Sequence, residues 1–190
     1  MGILGCAGNR RCDLSEIVEA VSEQQLEQVR SLFREYQAQL PAQYRARSLE
    51  AELSTLPGVY AAPKGKLLLA TVAGQPVGCV GLRPFPQDGA CEMKRLYVRP
   101  TFRGGKVGNE LVERVIEEAR VLGHSRLRLD THPPTMQAAV VMYRKFGFQE
   151  VEPGPVEAVE GLVYMELLLT PTRSLELGSS IPADARTRSS

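Results

Sequence analysis

The sequence lacks the features that mark membrane-bound and nucleic-acid-binding proteins. None of its apolar runs approaches the roughly 18 residues of a membrane-spanning helix, and the first residues lack the long apolar core of a secretory signal. Lys and Arg number 23 against 22 for Asp and Glu, so there is no basic excess of the kind that binds nucleic acid or a membrane surface. We therefore expect a soluble, cytoplasmic protein with no nucleic-acid partner and no membrane partner.

Cysteine and histidine are also scarce, with four and two residues. No CxxC spacing occurs, and neither histidine has the neighbours that a zinc site or a catalytic triad requires, so we expect no metal. Cys79 and Cys91 lie in apolar strand patterns and are predicted to be buried free thiols. A metal site or disulfide at Cys6 and Cys12 stays open, as does a ligand contact by His132.

Composition indicates one folded domain with a flexible segment at each end. A chain of 190 residues with 43% hydrophobic residues can bury the core of a single domain. Residues 1–13 are small and polar, and residues 171–190 are rich in Ser, Pro, Arg and Gly without apolar periodicity. The folded domain is therefore predicted to span residues 14–170.

Hydrophobic periodicity predicts alternating helices and strands within that domain. Three of the strands form a hairpin-linked meander, whereas the later ones alternate with helices, and this order excludes an all-parallel doubly wound sheet. We predict an α/β (α+β) fold with a single mixed, mostly antiparallel central sheet and helices on both faces. The predicted helices cover residues 23–40, 48–56, 109–122 and 135–146, and the predicted strands 17–21, 66–73, 76–82, 90–98, 126–131, 148–151 and 162–169.

A glycine-rich loop, Arg103 to Gly108, joins one of these strands to a helix. A helix start carries unpaired N–H groups and the positive end of the helix dipole, so it favours an anion. Glycine lets the backbone approach a phosphate closely, while Arg103 and Lys106 add positive charge. A phosphorylated cofactor is therefore predicted, although neither G-x-G-x-x-G nor the P-loop spacing is present.

Two motifs in this order and separation resemble the GNAT superfamily of acetyl-CoA-dependent N-acetyltransferases, over residues 15–169. The first is Leu96-Tyr97-Val98-Arg99-Pro100 leading into the Arg103–Gly108 loop, and the second is Ala139-Val140-Val141-Met142-Tyr143 followed by Gly147-Phe148. The resemblance implies a GNAT-like acyl-CoA N-acyltransferase fold. It also implies transfer of an acetyl group to a primary amine by direct attack within a ternary complex.

The resemblance further implies how acetyl-CoA is held. The loop wraps the pyrophosphate with backbone N–H groups, and the strand edge before it pairs with the pantetheine arm. Lys106 stands where the family usually has a small residue, and Met136 where many relatives have asparagine, so Gln137 is the substitute contact. The predicted cofactor-binding residues are Leu96, Tyr97, Val98, Arg103, Gly104, Gly105, Lys106, Val107, Gly108, Asn109 and Gln137.

Two residues are predicted to be catalytic. The transfer passes through a tetrahedral species and releases a thiolate, and in the family the tyrosine that matches Tyr143 gives the sulfur a proton. Glu92 matches the position of a general-base glutamate in several protein-acetylating members, and an amine of pKa about 10 has to lose a proton before it attacks. Each has a structural alternative, a core aromatic for Tyr143 and an ion pair at the sheet's end for Glu92.

The acceptor is not identified by the sequence. The resemblance implies that residues 22–65, 84–90 and 152–160 build its site, and their charges do not choose between an anionic and a cationic acceptor. We expect a small-molecule amine, with a protein N-terminus or lysine as the alternative, and with a non-catalytic acyl-CoA-binding domain as a third reading. The apolar run of residues 162–169 indicates a possible homodimer.

Overall fold

The structure is a computed structural model that describes residues 15–46, 48–87, 89–153 and 158–170. It contains a sheet of seven strands, four α-helices and three single turns of 3-10 helix in these residues. The elements are β1 (Ser15–Glu19), α1 (Glu23–Gln39), α2 (Leu49–Ser54), β2 (Lys66–Val72), β3 (Gln75–Pro84), β4 (Ala90–Val98), α3 (Val107–Val121), β5 (Arg126–Thr131), α4 (Pro133–Lys145), β6 (Gln149–Val151) and β7 (Val163–Leu168).

The sheet has the strand order β1-β2-β3-β4-β5-β7-β6. All neighbours are antiparallel except β4 and β5, which run parallel. These two strands pair only between Ala90–Glu92 and Arg126–Arg128, and beyond that point they separate. The mixed, mostly antiparallel sheet confirms the predicted fold class, and the gap between the carboxyl halves of β4 and β5 is called the cleft below.

Each face of the sheet carries its own apolar core. One core packs α3 and Tyr143 of α4 against β2, β3, β4 and β5, and the other packs α1 and α2 against β2 and β3. Cys91 and Met93 belong to the first core. Since neighbouring residues of a strand point to opposite faces, Glu92 and Lys94 point to the α1 side. The same alternation puts Leu129 on the α3 side.

Local sequence signals explain the element boundaries. A capping box is present at the start of α1, where Ser22 Oγ accepts from the N–H of Gln25 at 3.3 Å and Gln25 Oε1 accepts from the N–H of Ser22 at 3.0 Å. The strand predicted at residues 17–21 begins earlier, at Ser15, and lies at the sheet edge, paired with β2. Helix α2 is shorter than predicted, because the chain turns at Thr55, just before Pro57 and Gly58.

Several predictions concern residues outside the described part of the chain. The predicted leader (residues 1–13), the tail (residues 171–190) and the pair Cys6 and Cys12 all lie there, so the domain limits stay a prediction. Within the described part, Cys79 and Cys91 are buried free thiols as expected. No helix among the described residues has the length and apolar character needed to cross a membrane.

Candidate active site

The cleft opens where the hydrogen bonds between β4 and β5 end. Glu92 and Arg128 are the last paired residues, so Lys94 and Asp130 occupy the next positions on the same face. Lys94 Nζ donates to Asp130 across the cleft. This ion pair marks the floor of the cleft on its α1 side.

The edge of β4 presents backbone groups to the cleft. A bulge with Arg95 in a left-handed conformation (φ 59°) interrupts the pairing with β3. The N–H of Arg99 bonds Val77 O on β3 at 2.8 Å, so by strand alternation the N–H of Val98 points away from β3, towards the cleft. Side chains of Leu96 and Val98 pack against the α3 core. The strand edge predicted to pair with the pantetheine arm is therefore accessible at Val98.

The side chain of Tyr97 lies on the opposite face of the sheet from those of Leu96 and Val98. Its ring belongs to the core beneath α1, and its hydroxyl accepts a hydrogen bond from Gln39 Nε2 at 2.8 Å. The side chain of Tyr97 therefore faces the α1 side of the sheet rather than the α3 side, on which its two neighbours lie.

The glycine-rich loop ends in an open helix start. Helix α3 begins at Val107, and Lys106 at its N-cap makes no capping bond with its side chain. No N–H of residues 104–109 donates a backbone hydrogen bond to any other described residue. Gly104 has a φ of 78°, which places it in the left-handed region that glycine adopts without strain. The loop thus holds a set of N–H donors that lack backbone partners among the described residues, which is the arrangement an anion requires.

Arg103 does not extend into that loop. Its Nε donates to Val98 O at 2.8 Å, its Nη2 donates to Gln39 Oε1 at 2.5 Å, and its guanidinium lies 5.6 Å from the centre of the Tyr97 ring. The side chain therefore lies over the end of β4, close to the edge that pantetheine is predicted to use. Its contact with phosphate stays a prediction.

Three other predicted cofactor residues are exposed. Lys106 and Asn109 flank the helix start, and the Lys106 side chain makes no capping bond there. Gln137 follows a kink in α4 at Met136, whose φ and ψ of −129° and 34° are not helical. The side chain of Gln137 has no hydrogen-bond partner among the described residues, and its cofactor contact stays a prediction.

Tyr143 reaches the cleft from the α3 side of the sheet. The residue is 6% exposed, and its ring lies 5.7 Å from that of Phe148. No described residue forms a hydrogen bond with its hydroxyl. Burial raises the pKa of Tyr143, and the nearby Tyr36 and Asp130 raise it further. The phenol is thus protonated at neutral pH and has its hydroxyl available to a ligand.

Glu92 is held by two cations. Its side chain is 8% exposed, Oε2 accepts from Arg83 Nε and Nη2 at 2.9 and 2.7 Å, and Oε1 lies 3.1 Å from Lys94 Nζ. Burial alone would lower the pKa of Lys94, but Asp130 and Glu92 outweigh burial and raise it. The geometry agrees with the ion-pair alternative for Glu92, and its role as general base stays a prediction.

The segment after α1 crosses the cleft on the α1 side of the sheet. Gln39 contacts Tyr97 of β4, and five residues later the Tyr44 ring lies 4.4 Å from the ring of His132, at the end of β5. The Tyr44 hydroxyl donates to Glu160 O at 3.0 Å, just before β7. Residues 39–44, called the roof below, therefore bridge the two sides of the cleft.

Sequence reasoning missed Asp130 and Tyr36, which both lie at the cleft. The alternating pattern of β5 marks Asp130 as polar and outward, which is typical of a solvent-facing residue. Tyr36 fits the apolar stripe of α1 and packs at 6.0 Å from Tyr97. Asp130 is recognised as a cleft residue only from the parallel register that places it beside Lys94. That register depends on how β4 and β5 pair, and it cannot be read from the sequence. His132 contacts the roof, and the described residues include no cluster suited to a metal ion.

The chain is similar to known proteins in sequence and in fold. Residues 26–148 match the family described as acetyltransferase (GNAT). An uncharacterized N-acetyltransferase of Schizosaccharomyces pombe is 38% identical over 145 residues, covering 76% of this chain and 88% of that protein. A GNAT-family acetyltransferase structure from Staphylococcus aureus superposes with a TM-score of 0.70 at 19% identity, covering 83% of this chain and all of that one. A Salmonella typhimurium putative acetyltransferase solved with acetyl-CoA superposes with a TM-score of 0.62 at 20% identity, covering 84% and 96%.

Proposed function

This chain belongs to the acetyltransferase (GNAT) family, and from that premise we propose that it transfers the acetyl group of acetyl-CoA to the primary amine of a small molecule. It is an acyltransferase, as its family and its named relatives are. The observation that carries the proposal is the cleft, where an open helix start, a free strand edge and the Tyr143 hydroxyl converge on one gap in the sheet.

The residues of the cleft fit acetyl-CoA. The free N–H groups of residues 104–109 suit a pyrophosphate at the start of α3, and the N–H of Val98 suits an amide or thioester carbonyl beside β4. When bound, acetyl-CoA supplies an activated acetyl thioester. In this assignment Tyr143, which reaches the cleft from the α3 side, donates the proton that the leaving sulfur needs.

The roof favours a small acceptor over a polypeptide. A peptide would have to lie across the α1 side of the cleft, where Tyr44 connects the α1 end to His132 and to the chain before β7. Such a bridge blocks an extended chain but leaves the cleft floor at Lys94 and Asp130 accessible to a compact amine. The side chain of Asp130 keeps 24% of its surface exposed, so the floor is not sealed.

This proposal is tested by offering a panel of amines and measuring the release of the coenzyme A thiol. Purified protein with acetyl-CoA is offered small primary amines in one arm, and lysine-containing and free N-terminal peptides in the other. We expect thiol release and an N-acetyl product with small amines only. Turnover with peptides alone would replace the small-molecule acceptor by a protein, and binding of acetyl-CoA without any amine turnover would favour a non-catalytic acyl-CoA-binding domain.

We also propose a cytoplasmic location. The buried free thiols of Cys79 and Cys91 suit a reducing compartment. Immunofluorescence or fractionation of the tagged chain tests this, and recovery with a secreted or membrane fraction would contradict it.

A further inference from the structure

We propose that Asp130 and Tyr36 form the acceptor-amine site, in which Asp130 binds the incoming ammonium and accepts its proton while the Tyr36 hydroxyl orients the nitrogen. The proposal rests on the proposed function and assigns the base of that reaction to β5 rather than to Glu92 on β4. It names a compact alkyl ammonium as the chemical group that the cleft floor recognises.

Asp130 lies at the point where an acceptor has to enter. It follows Arg128, the last residue of β5 that pairs with β4, so its carboxylate stands beside the open part of the cleft. One carboxylate oxygen, Oδ1, accepts from Lys94, and among the described residues none donates to Oδ2. A carboxylate with one oxygen fixed and the other free can orient an ammonium and take a proton from it.

Two phenols belong to the layers that cover the two faces of the sheet. Tyr36 comes from α1 and is half-buried beside Tyr97, whereas Tyr143 comes from α4 and packs on Phe148. No described residue bonds either hydroxyl. Burial raises the pKa of both phenols, and the charge of Asp130 raises both further. Two hydroxyls and a carboxylate oxygen that lack partners among the described residues are groups that a polar ligand would satisfy.

Glu92 is less suited to the same task. Arg83 and Lys94 engage both of its oxygens, and its side chain is 8% exposed against 24% for Asp130. Both oxygens of Glu92 thus face a cation, whereas Asp130 keeps one oxygen without a donor among the described residues. Since Lys94 contacts both carboxylates, Glu92 acts as a positioning residue that holds Lys94 against Asp130.

The protons and bonds of the acetyl transfer can all be accounted for with these residues. Asp130 takes one of the three ammonium protons, and the freed lone pair of the nitrogen forms a bond to the thioester carbonyl carbon. As the carbon–sulfur bond breaks, Tyr143 gives its hydroxyl proton to the departing sulfur and recovers a proton from the new amide nitrogen. The products are the N-acetyl amine and the free thiol, and Asp130 releases the remaining proton to water.

Two nearly isosteric amines can show whether Asp130 acts as a general base or has only a structural role. Ethylamine is an ammonium at pH 7, like the lysine amine with its pKa of about 10.4, whereas methoxyamine is neutral and has no proton to lose before attack. Both are offered with acetyl-CoA to the wild type and to Asp130→Asn, with enzyme-free rates subtracted. Glu118→Gln is the matched control, because Glu118 is also ion-paired and largely buried, with Arg114 at 2.9 Å, but lies on α3.

We expect Asp130→Asn to lower kcat/KM for ethylamine by on the order of 100-fold or more, as removal of a general base does, with methoxyamine turnover nearly retained. Tyr36→Phe should raise KM for ethylamine with little change in kcat. Glu118→Gln should match the wild type with both amines. Where Asp130→Asn melts early because Lys94 has lost its partner, the double variant with Lys94→Met serves for the same comparison.

If Asp130→Asn lowered kcat/KM equally for both amines, the assignment of Asp130 as the base would be wrong. Unchanged turnover of ethylamine in this variant would also overturn it. A wild type that acetylates methoxyamine but not ethylamine would overturn it too, because a site that binds the bare ammonium must accept ethylamine. Failure of the proposed function looks different, since the wild type would then acetylate neither amine, whether or not acetyl-CoA shifts its melting temperature.

Discussion

Replacing Tyr143 by Phe should lower the catalytic rate without lowering the stability of the fold. The hydroxyl has no hydrogen-bond partner among the described residues, and the residue is 6% exposed. A buried hydroxyl without a partner costs about 1–3 kcal/mol, so its removal should leave the free energy of unfolding unchanged or raise it by up to about 1 kcal/mol. Loss of the proton donor should lower kcat by on the order of 100-fold or more, with little change in KM for acetyl-CoA.

Tyr60→Phe is the matched control for this variant. Tyr60 is also a buried tyrosine, but its hydroxyl donates to Glu52 Oε1 at 2.7 Å. A hydrogen bond to a charged group contributes about 1.5–3 kcal/mol, so Tyr60→Phe should lose stability of that order and keep its kcat. Urea denaturation and initial rates of thiol release measure both quantities on the same preparations.

The pH profile gives a second readout on Tyr143. Burial raises the pKa of this phenol, so the neutral donor persists as the pH rises through the ordinary tyrosine range. The wild-type kcat should therefore show no loss of the donor below pH about 10, the pKa of a free tyrosine. The account of Tyr143 would be refuted if the Phe variant lost stability like Tyr60→Phe while retaining its kcat.

Three other predictions concern the loop, the ion pairs and the thiols. Gly104→Ala should raise KM for acetyl-CoA, since a left-handed residue with a Cβ costs about 1–2 kcal/mol at the φ of 78° found there; unchanged KM would contradict the loop assignment. Glu92→Gln should lower the free energy of unfolding in urea by about 2–3 kcal/mol, less than a fully buried pair, because Arg83 and Lys94 keep 38% and 28% of their side chains exposed. Burial raises the pKa of Cys91 to about 12, so a thiol reagent at pH 8 should modify this residue only in unfolded protein, as mass spectrometry can establish.

Much of the fold can be predicted because its signals are local. The capping box of α1 needs only Ser22 and Gln25, and the apolar stripe of α3 needs only its own spacing. Turn residues such as Gly74 and Pro100 mark where the strands of the meander end. The bounds of β4 and β5 match the predicted ones for this reason.

The chemistry of the cleft depends on contacts that no local pattern contains. The separation of β4 and β5 after Glu92, and hence the pairing of Lys94 with Asp130, follows from how two distant segments align. Arg103 is a second example, because its side chain bonds Val98 and Gln39, which lie on two other elements of the fold. Both depend on packing between elements, which the sequence pattern of either element alone does not specify.

The central claim is that the cleft binds acetyl-CoA, and a thermal-shift titration of the whole chain tests it most directly. A ligand at 100 times its Kd stabilises the native state by about 2.7 kcal/mol, so the melting temperature should rise with the logarithm of acetyl-CoA concentration. Gly104→Ala should move that titration to higher concentrations, whereas the distant Glu118→Gln should leave it in place. A melting temperature that does not change at millimolar acetyl-CoA would contradict the account.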